Sequence, residues 1–526
     1  MTHYRLAAVL VVVLLPCGLL AQGAGPDVIV GDLTGPSSWG SSGSTSAFSI
    51  GTTSCNVGSV SLPWFQNTPV HPVIGQNLYR LLNGRFQSVG VSWLKHGFFA
   101  LQQSLCSGCS PWPNGTALGV GCSDPYTSSL NGQQGGLGPR YEVNPTTGVF
   151  PMPYGSGMPP AANNIDRRLQ VLNSDLNPAQ NVGARYFGEA QYIHPTDASS
   201  GNGLNNASWR EVGVAPGPIS GYNLGPWIGP TVRQVPAVYA WQAIDPAVQI
   251  QTIDVPNDGR FTVAYKSTPL PGGGNHYEFA IHNLNSWRSA GTVTITTPCG
   301  AAVSNVGWSG VPHHSGEPYA TTPWSNTVTS TGITWMTASA GANGNAIRWG
   351  TLYNYWFDSD LPPLGLTIGL HRVGTPATVS TGLPGAGGAV EYQTNSFSAT
   401  LDVNGVQTTG SAPAVITGPP GSTHNVNFFS FNGGQNWDLA YGTAPLIPRS
   451  ACAVATPFAQ VLNIDIADPT FGTWFGGTLV GGPPFVNFAL PVTFPVATNI
   501  SMQMVIVSPN LPDGVALSQG VQINIQ

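Results

Sequence analysis

Short apolar alternations, separated by clusters of Gly, Ser, Asn and Pro, run along most of this chain, and that rhythm predicts strands and turns. DVIVGDL opens the series, followed by a Ser/Gly-rich loop and AFSIGTTSCNVGSVSLPW. NLYRLLNGRFQSVGV (Asn77 to Val91) predicts a hairpin, because Asn83-Gly84 offers two residues that tolerate positive φ at the turn. RYFGEAQYI alternates as a strand, and VYAWQAI, VQIQTIDV and RFTVAYKS predict three more. HYEFAIHNL sets Tyr277, Phe279 and Ile281 on one face against His276, Glu278 and His282 on the other. One stretch breaks the rhythm: Leu94, Phe98, Leu101 and Leu105 follow helical spacing, with Trp93, Gly97 and Pro111 limiting any helix to a few turns.

The expected fold class is all-β, with multiple β-sandwich-like domains and a long, loop-rich, disulfide-pinned N-terminal region. Residues 1–23 read as a signal peptide: a polar start at His3 and Arg5, an apolar run from Leu6 to Leu20, and a small-residue exit at Ala21-Gln22-Gly23. Residues 24–237 form the N-terminal unit and 238–374 a middle sandwich. The Pro/Gly/Ala-rich stretch 375–388 reads as a linker, and 389–526 as a C-terminal β-domain.

Composition narrows the function. Charged residues are only 7% of the chain and the net charge is −6. That excludes the basic footprint a nucleic-acid partner needs. The mature chain has no stretch long and apolar enough for a transmembrane helix. A surface built from Ser, Thr, Asn, Gln and Gly suits an exported β-protein, periplasmic, cell-surface or extracellular, whose sheet edges are closed or twisted. The six cysteines beyond the leader are Cys55, Cys106, Cys109, Cys122, Cys299 and Cys452. In an oxidising compartment an even number predicts three disulfides, in a pairing that spacing cannot choose.

Several blocks carry a resemblance: SWLKHGFFAL, the run LGVGCSDPY to LNGQQGGLGPRYEVNPTTG, GNGLNNASWREV, HYEFAIHNLNSWRSAG, HHSGEPY and NAIRWGTLYNYWFD. The chain resembles a family of large, secreted, β-rich bacterial proteins with no characterised activity. WDLAYG and LPDGVALSQGVQI are similar to a C-terminal β-domain of exported proteins from such bacteria. The resemblance implies export and no catalytic assignment.

Three groups could carry chemistry. His96, Cys106, Cys109, Cys122 and Asp124 share one loop with Lys95, one of only two lysines, and a Cys-x2-Cys pair with a third Cys and a His could hold zinc or copper. Oxidation to disulfides is the competing and preferred reading of the same cysteines. His276, Glu278, His282, His313, His314 and Glu317 offer a two-His, one-carboxylate set, if a loop brings His313 or His314 to the strand. Along an extended strand His276 and His282 stand roughly 20 Å apart, so one metal cannot take both. The polar-face alternative is hydrogen bonding to a covering loop. Trp308, Trp324, Trp335, Trp349 and Trp356 could stack on sugars or fill the core. The carboxylate pairs Glu189/Asp197 and Asp358/Asp360 are what a glycosidase would use, and the second pair could also hold calcium weakly. No G-x-S-x-G, H-E-x-x-H or P-loop motif occurs. The expectation is an extracellular or cell-surface structural or binding protein, with no cofactor required. The partner would be a glycan or a cell-surface protein. The alternatives are a zinc- or copper-dependent secreted enzyme and a glycan-binding protein.

Overall fold

The computed structural model describes residues 24–526 except 107, 218–220, 340, 384–390, 433, 450–452, 457–459, 477–479 and 482–485. Residues 1–23, read above as a signal peptide, and Cys452 therefore lie outside the described residues. The fold is all-β, about 47% strand and 6% helix.

The N-terminal unit is built on one large antiparallel sheet, with a small separate pairing of Leu62–Pro63 and Ala117–Leu118. Its main path runs Val28–Ser42, Thr45–Asn56, Leu169–Leu172, Arg85–Val91, Val73–Leu82, Arg185–Ile193, Ala207–Pro216, Tyr222–Val232. The two ends of that path come together: Leu33 N–H donates to Thr231 Oγ1 at 3.1 Å, and Thr231 Oγ1 donates to Asp32 Oδ1 at 2.5 Å. Arg233 Nε reaches Gly31 O at 2.6 Å across the same seam. Rolling the sheet onto itself protects its edges, which is how a chain with so little charge avoids edge pairing. The Asn83-Gly84 hairpin forms as predicted, with φ of 51° and 81° and Leu82 opposite Arg85.

The middle unit is a sandwich of two five-stranded antiparallel sheets. One contains Asn275–Asn283 and Thr351–Ser359, the other Ala290–Thr296 and Gly365–Leu370. Between them lie Phe261, Tyr265, Tyr277, Phe279, Ile281 and Tyr355 facing Val293, Ile295, Trp335 and Ile368. The third unit packs Leu401, Phe428, Leu439, Met504 and Ile523 between a three-stranded and a six-stranded sheet. One pair there is parallel, Ala414–Gly418 with Val515–Ile525.

Several expectations are corrected. VYAWQAI is a helix, Tyr239–Ile244, not a strand. Ala240 and Trp241 from it plug a core shared by Tyr79, Phe86 and Phe187 of the first unit with Ala264, Ala280 and Leu352 of the second. The division at 237/238 thus separates the sequence but not the core. The predicted linker begins as the strand Thr378–Gly382, paired with Gly365–Leu370, because Val379 fills the edge of the sandwich core. The helical spacing after Trp93 yields only the strand Leu94–His96, followed by irregular chain. Leu101 and Leu105 are 45% and 46% exposed, so they form no buried helical face. Tyr126 Oη and Asp124 Oδ1 take the free N–H groups of Phe98, Phe99 and Leu101 instead.

That irregular chain is held by two disulfides, Cys55–Cys106 and Cys109–Cys122. Their sequence separations are 51 and 13. Loop-closure entropy gives them about 4 and about 3 kcal/mol respectively. The Cys55→Ser/Cys106→Ser double variant is therefore expected to lose about 4 kcal/mol in urea unfolding. A loss below 1 kcal/mol would show that packing alone holds the segment.

Candidate functional site

The cysteine metal set is overturned: Cys55, Cys106, Cys109 and Cys122 pair with one another, and Cys299 is also disulfide-bonded. Their thiolates are spent in S–S bonds. Asp124 stands apart from His96, accepting Leu101 N–H at 2.8 Å, and burial lifts it to about 7.

The His/Glu set separates into three places. His276 Nδ1 lies 2.6 Å from Asp358 Oδ1, and its Nε2 lies 3.4 Å from Glu278 Oε2. Glu278 is gripped by both arms of Arg85, at 2.6 and 2.8 Å, and Arg85 stacks 3.6 Å over Trp356. His282 is buried beneath Tyr79, with neither ring nitrogen hydrogen-bonded. His313 and His314 lie on the loop, where His314 meets Tyr319 edge-on. Glu317 accepts the N–H groups of Arg140 and Tyr141 at 2.5 and 3.0 Å. On the polar face of the 275–283 strand, Glu278 and His282 are therefore covered by Arg85 and Tyr79 of the N-terminal sheet, while His276 pairs with Asp358 of its own sheet. Among the described residues no three His, Cys, Asp or Glu converge as a metal-binding group, so the zinc, copper and calcium sets do not assemble. Asp360 instead accepts Ala302 N–H at 2.7 Å. Asp197 accepts Val28 N–H at 2.9 Å and Asn206 Nδ2 at 2.8 Å, while Glu189 serves a different buried cluster. The tryptophan platform also dissolves: Trp324, Trp335 and Trp349 are buried, and Trp308 and Trp356 are half-buried against other side chains.

What the fold does assemble is a cleft of about 290 Å³ around Lys95 and His96. The strand Leu94–His96 is paired on both sides, Val73 opposite His96 and Leu137 opposite Lys95. This register carries His71, two residues before Val73, onto His96. His71 Nε2 lies 2.9 Å from His96 Nδ1, and His71 Nδ1 lies 3.3 Å from Phe65 O. A carbonyl oxygen can only accept, so His71 Nδ1 carries its proton and His71 Nε2 accepts. His96 Nδ1 must then donate, which leaves a lone pair on His96 Nε2. Tyr154 stacks flat on His96, with ring centres 3.5 Å apart and planes within 7°. Burial, reinforced by His71 and Lys95, lowers His96 to about 2, so the ring stays neutral.

Lys95 is 4% exposed. Its Nζ sits 5.4 Å from the Phe98 ring centre, and no carboxylate or hydrogen-bond acceptor among the described residues pairs with it. A β-carbon at Gly136 would strike Lys95 Nζ, and one at Gly138 would strike His96 Nε2. The two polar atoms therefore both pack against the backbone between Gly136 and Gly138, where the 3-10 turn Gln134–Gly136 meets the strand Leu137–Gly138. Gln66, Asn67 and Gln133 add amide groups to the lining.

A second buried cluster joins the units. Arg140 Nε donates to Ser92 O at 2.6 Å, and Nη2 donates to Gln76 O and Asn77 Oδ1 at 3.0 and 2.9 Å. Asn77 Nδ2 and Tyr79 Oη pass the link to Glu189 Oε1 at 2.7 and 3.0 Å, and Ala237 N–H donates to Glu189 Oε2 at 2.6 Å. Trp349 of the middle unit lies against the guanidinium, 5.2 Å from ring centre to Cζ. Arg140 Nη1 has no hydrogen-bond partner among the described residues, and the rest of the arrangement braces the joint.

No protein-family model matches the chain, and no curated protein sequence is detectably similar to it. The site thus stands on its own geometry. Lys95 and His96 were legible from the sequence as an unusual Lys-His pair in a nearly lysine-free chain. His71 and Tyr154 were not, because only the pairing of a three-residue strand brings them there.

Proposed function

We propose that the protein is an exported, non-catalytic binding protein of the cell exterior, and that the cleft around Lys95, His71, His96 and Tyr154 is its ligand site. One observation carries this reading: the Lys95 side chain, 4% exposed overall, turns its ammonium to a cleft in which no acidic side chain among the described residues faces it. Desolvation lowers the pKa of this ammonium, and a fold retains such a cost where a ligand supplies the missing partner. The disulfides and the resemblance to secreted bacterial proteins support export, as does the lack, among the described residues, of a helix able to cross a membrane. A neutral His96 held at about 2 is a hydrogen-bond acceptor and a poor general base, which favours binding over catalysis. The test needs no ligand. Lys95→Met keeps the Phe98 contact and removes the charge, so it is expected to raise the unfolding free energy by about 1–3 kcal/mol. A loss of more than 1 kcal/mol in urea unfolding would make Lys95 a structural residue and end this reading.

A further inference from the structure

The geometry points to a ligand class for this cleft: we propose that it takes the hydroxy-carboxylate end of a sugar acid, a uronate, with the carboxylate on Lys95 and a hydroxyl on His96. This rests on the binding reading above.

The donor and acceptor inventory decides the class. Lys95 Nζ offers only donors, is cationic when protonated and has no acceptor among the described residues. It calls for an anion. His96 Nε2 offers only a lone pair, because its Nδ1 proton is committed to His71, whose own proton is committed to Phe65 O. It calls for an O–H or N–H donor. A ligand that satisfies both must therefore present an acceptor charge and a neutral donor side by side. A simple carboxylate lacks the donor and a neutral sugar lacks the charge.

Charge count and size narrow it further. Among the described residues Lys95 is the only cationic side chain lining the cleft, and no acidic side chain lines it. A phosphate near its dianionic form would leave an uncompensated negative charge in a buried place, which is costly. A carboxylate balances Lys95 one to one. The cleft volume of about 290 Å³ corresponds to about ten waters at roughly 30 Å³ each, the scale of one sugar ring. Gln66, Asn67 and Gln133 can serve the remaining hydroxyls. Gly136 and Gly138 let the backbone pack close to the two recognising atoms, which side chains at these positions would displace.

The experiment is calorimetric titration of the full mature chain with D-glucuronate and D-galacturonate, set against glucose, galactose, acetate and inorganic phosphate. At least one uronate is expected to bind at least tenfold more tightly than its neutral parent sugar and than acetate and phosphate. Lys95→Met is expected to abolish that tenfold preference. Gly136→Ala, which crowds Lys95 Nζ through a flexible side-chain end, is expected to weaken uronate binding with urea unfolding unchanged. Equal binding of neutral sugar, acetate or phosphate would overturn the ligand class, and so would no uronate binding. A destabilised Lys95→Met protein would instead overturn the binding reading beneath it, so the two failures are told apart.

Discussion

Arg140→Met is expected to lower the unfolding free energy by about 3–5 kcal/mol, the cost of breaking a buried charge network from one side. Arg140 is 5% exposed, and its guanidinium satisfies two backbone carbonyls and Asn77. Removing it strands those acceptors. It also leaves Glu189, which is wholly buried, without the cation that Asn77 links to it. The same change touches the joint between the first two units, since Glu317 and Trp349 come from the second. The expected signature is therefore twofold: a lower urea midpoint, and faster proteolysis near the Tyr239–Ile244 helix than in either sheet. The Arg140→Met/Glu189→Gln double variant is expected to be less destabilised than the sum of the single changes, because the second substitution removes the charge that the first left exposed to the low-dielectric interior. Strict additivity, or a single-variant loss under 1 kcal/mol, would show that the two groups are energetically independent.

The same network explains what could and could not be read in advance. Alternation in HYEFAIHNL identified which residues of the strand share a face, and Tyr277, Phe279 and Ile281 do enter the sandwich core. Periodicity does not say what lies against the other face. Glu278 and His282 look like solvent-facing residues in the sequence, yet they are 6% and 0% exposed because Arg85 and Tyr79 of another sheet cover them. The Asn83-Gly84 hairpin was legible because its turn chemistry is local. The Tyr239–Ile244 helix was not, since it spans under two turns and its burial comes from two sheets distant in sequence. An even cysteine count predicted cross-links, but only the folded register shows Cys55 beside Cys106. The Lys95 cleft lies between these cases. Its two central residues are adjacent in the chain, and the histidine that sets their chemistry is 25 positions away.

Acidification is expected to change stability little between pH 7 and 5 and to reduce it steeply below pH 4. His96, His194 and His314 are buried neutral, at about 2, 3 and 3, against 6.5 when unfolded. Desolvation is the first cause in each, and His194 is also committed as the acceptor that caps the short Pro195–Ser199 helix. Between its folded and unfolded values the unfolded chain binds the proton and the native state does not, so each histidine loses stability as pH falls through 6.5. From pH 7 to 5 that is about 2 kcal/mol each, about 6 in all. Asp124 and Asp197 act in the opposite direction. Burial lifts both to about 7 from 3.8, so the native state takes up a proton first and gains about 2 kcal/mol each over the same interval. Glu317, raised to about 7, adds to that gain, and the lowered His71, His282 and His313 add to the loss. Below about pH 4 the unfolded carboxylates are protonated too and the offset stops growing. The three histidines alone then cost about 4 kcal/mol per pH unit down to about pH 3. Urea midpoints at pH 7, 5, 4 and 3 measure the profile, and the Asp124→Asn/Asp197→Asn variant isolates its cause. Without the two compensating carboxyls this variant is expected to lose about 4 kcal/mol more than the wild type between pH 7 and 5. Parallel profiles for the two proteins would mean that neither carboxyl holds a proton in the native state near pH 6, and that the acid response comes from the histidines alone.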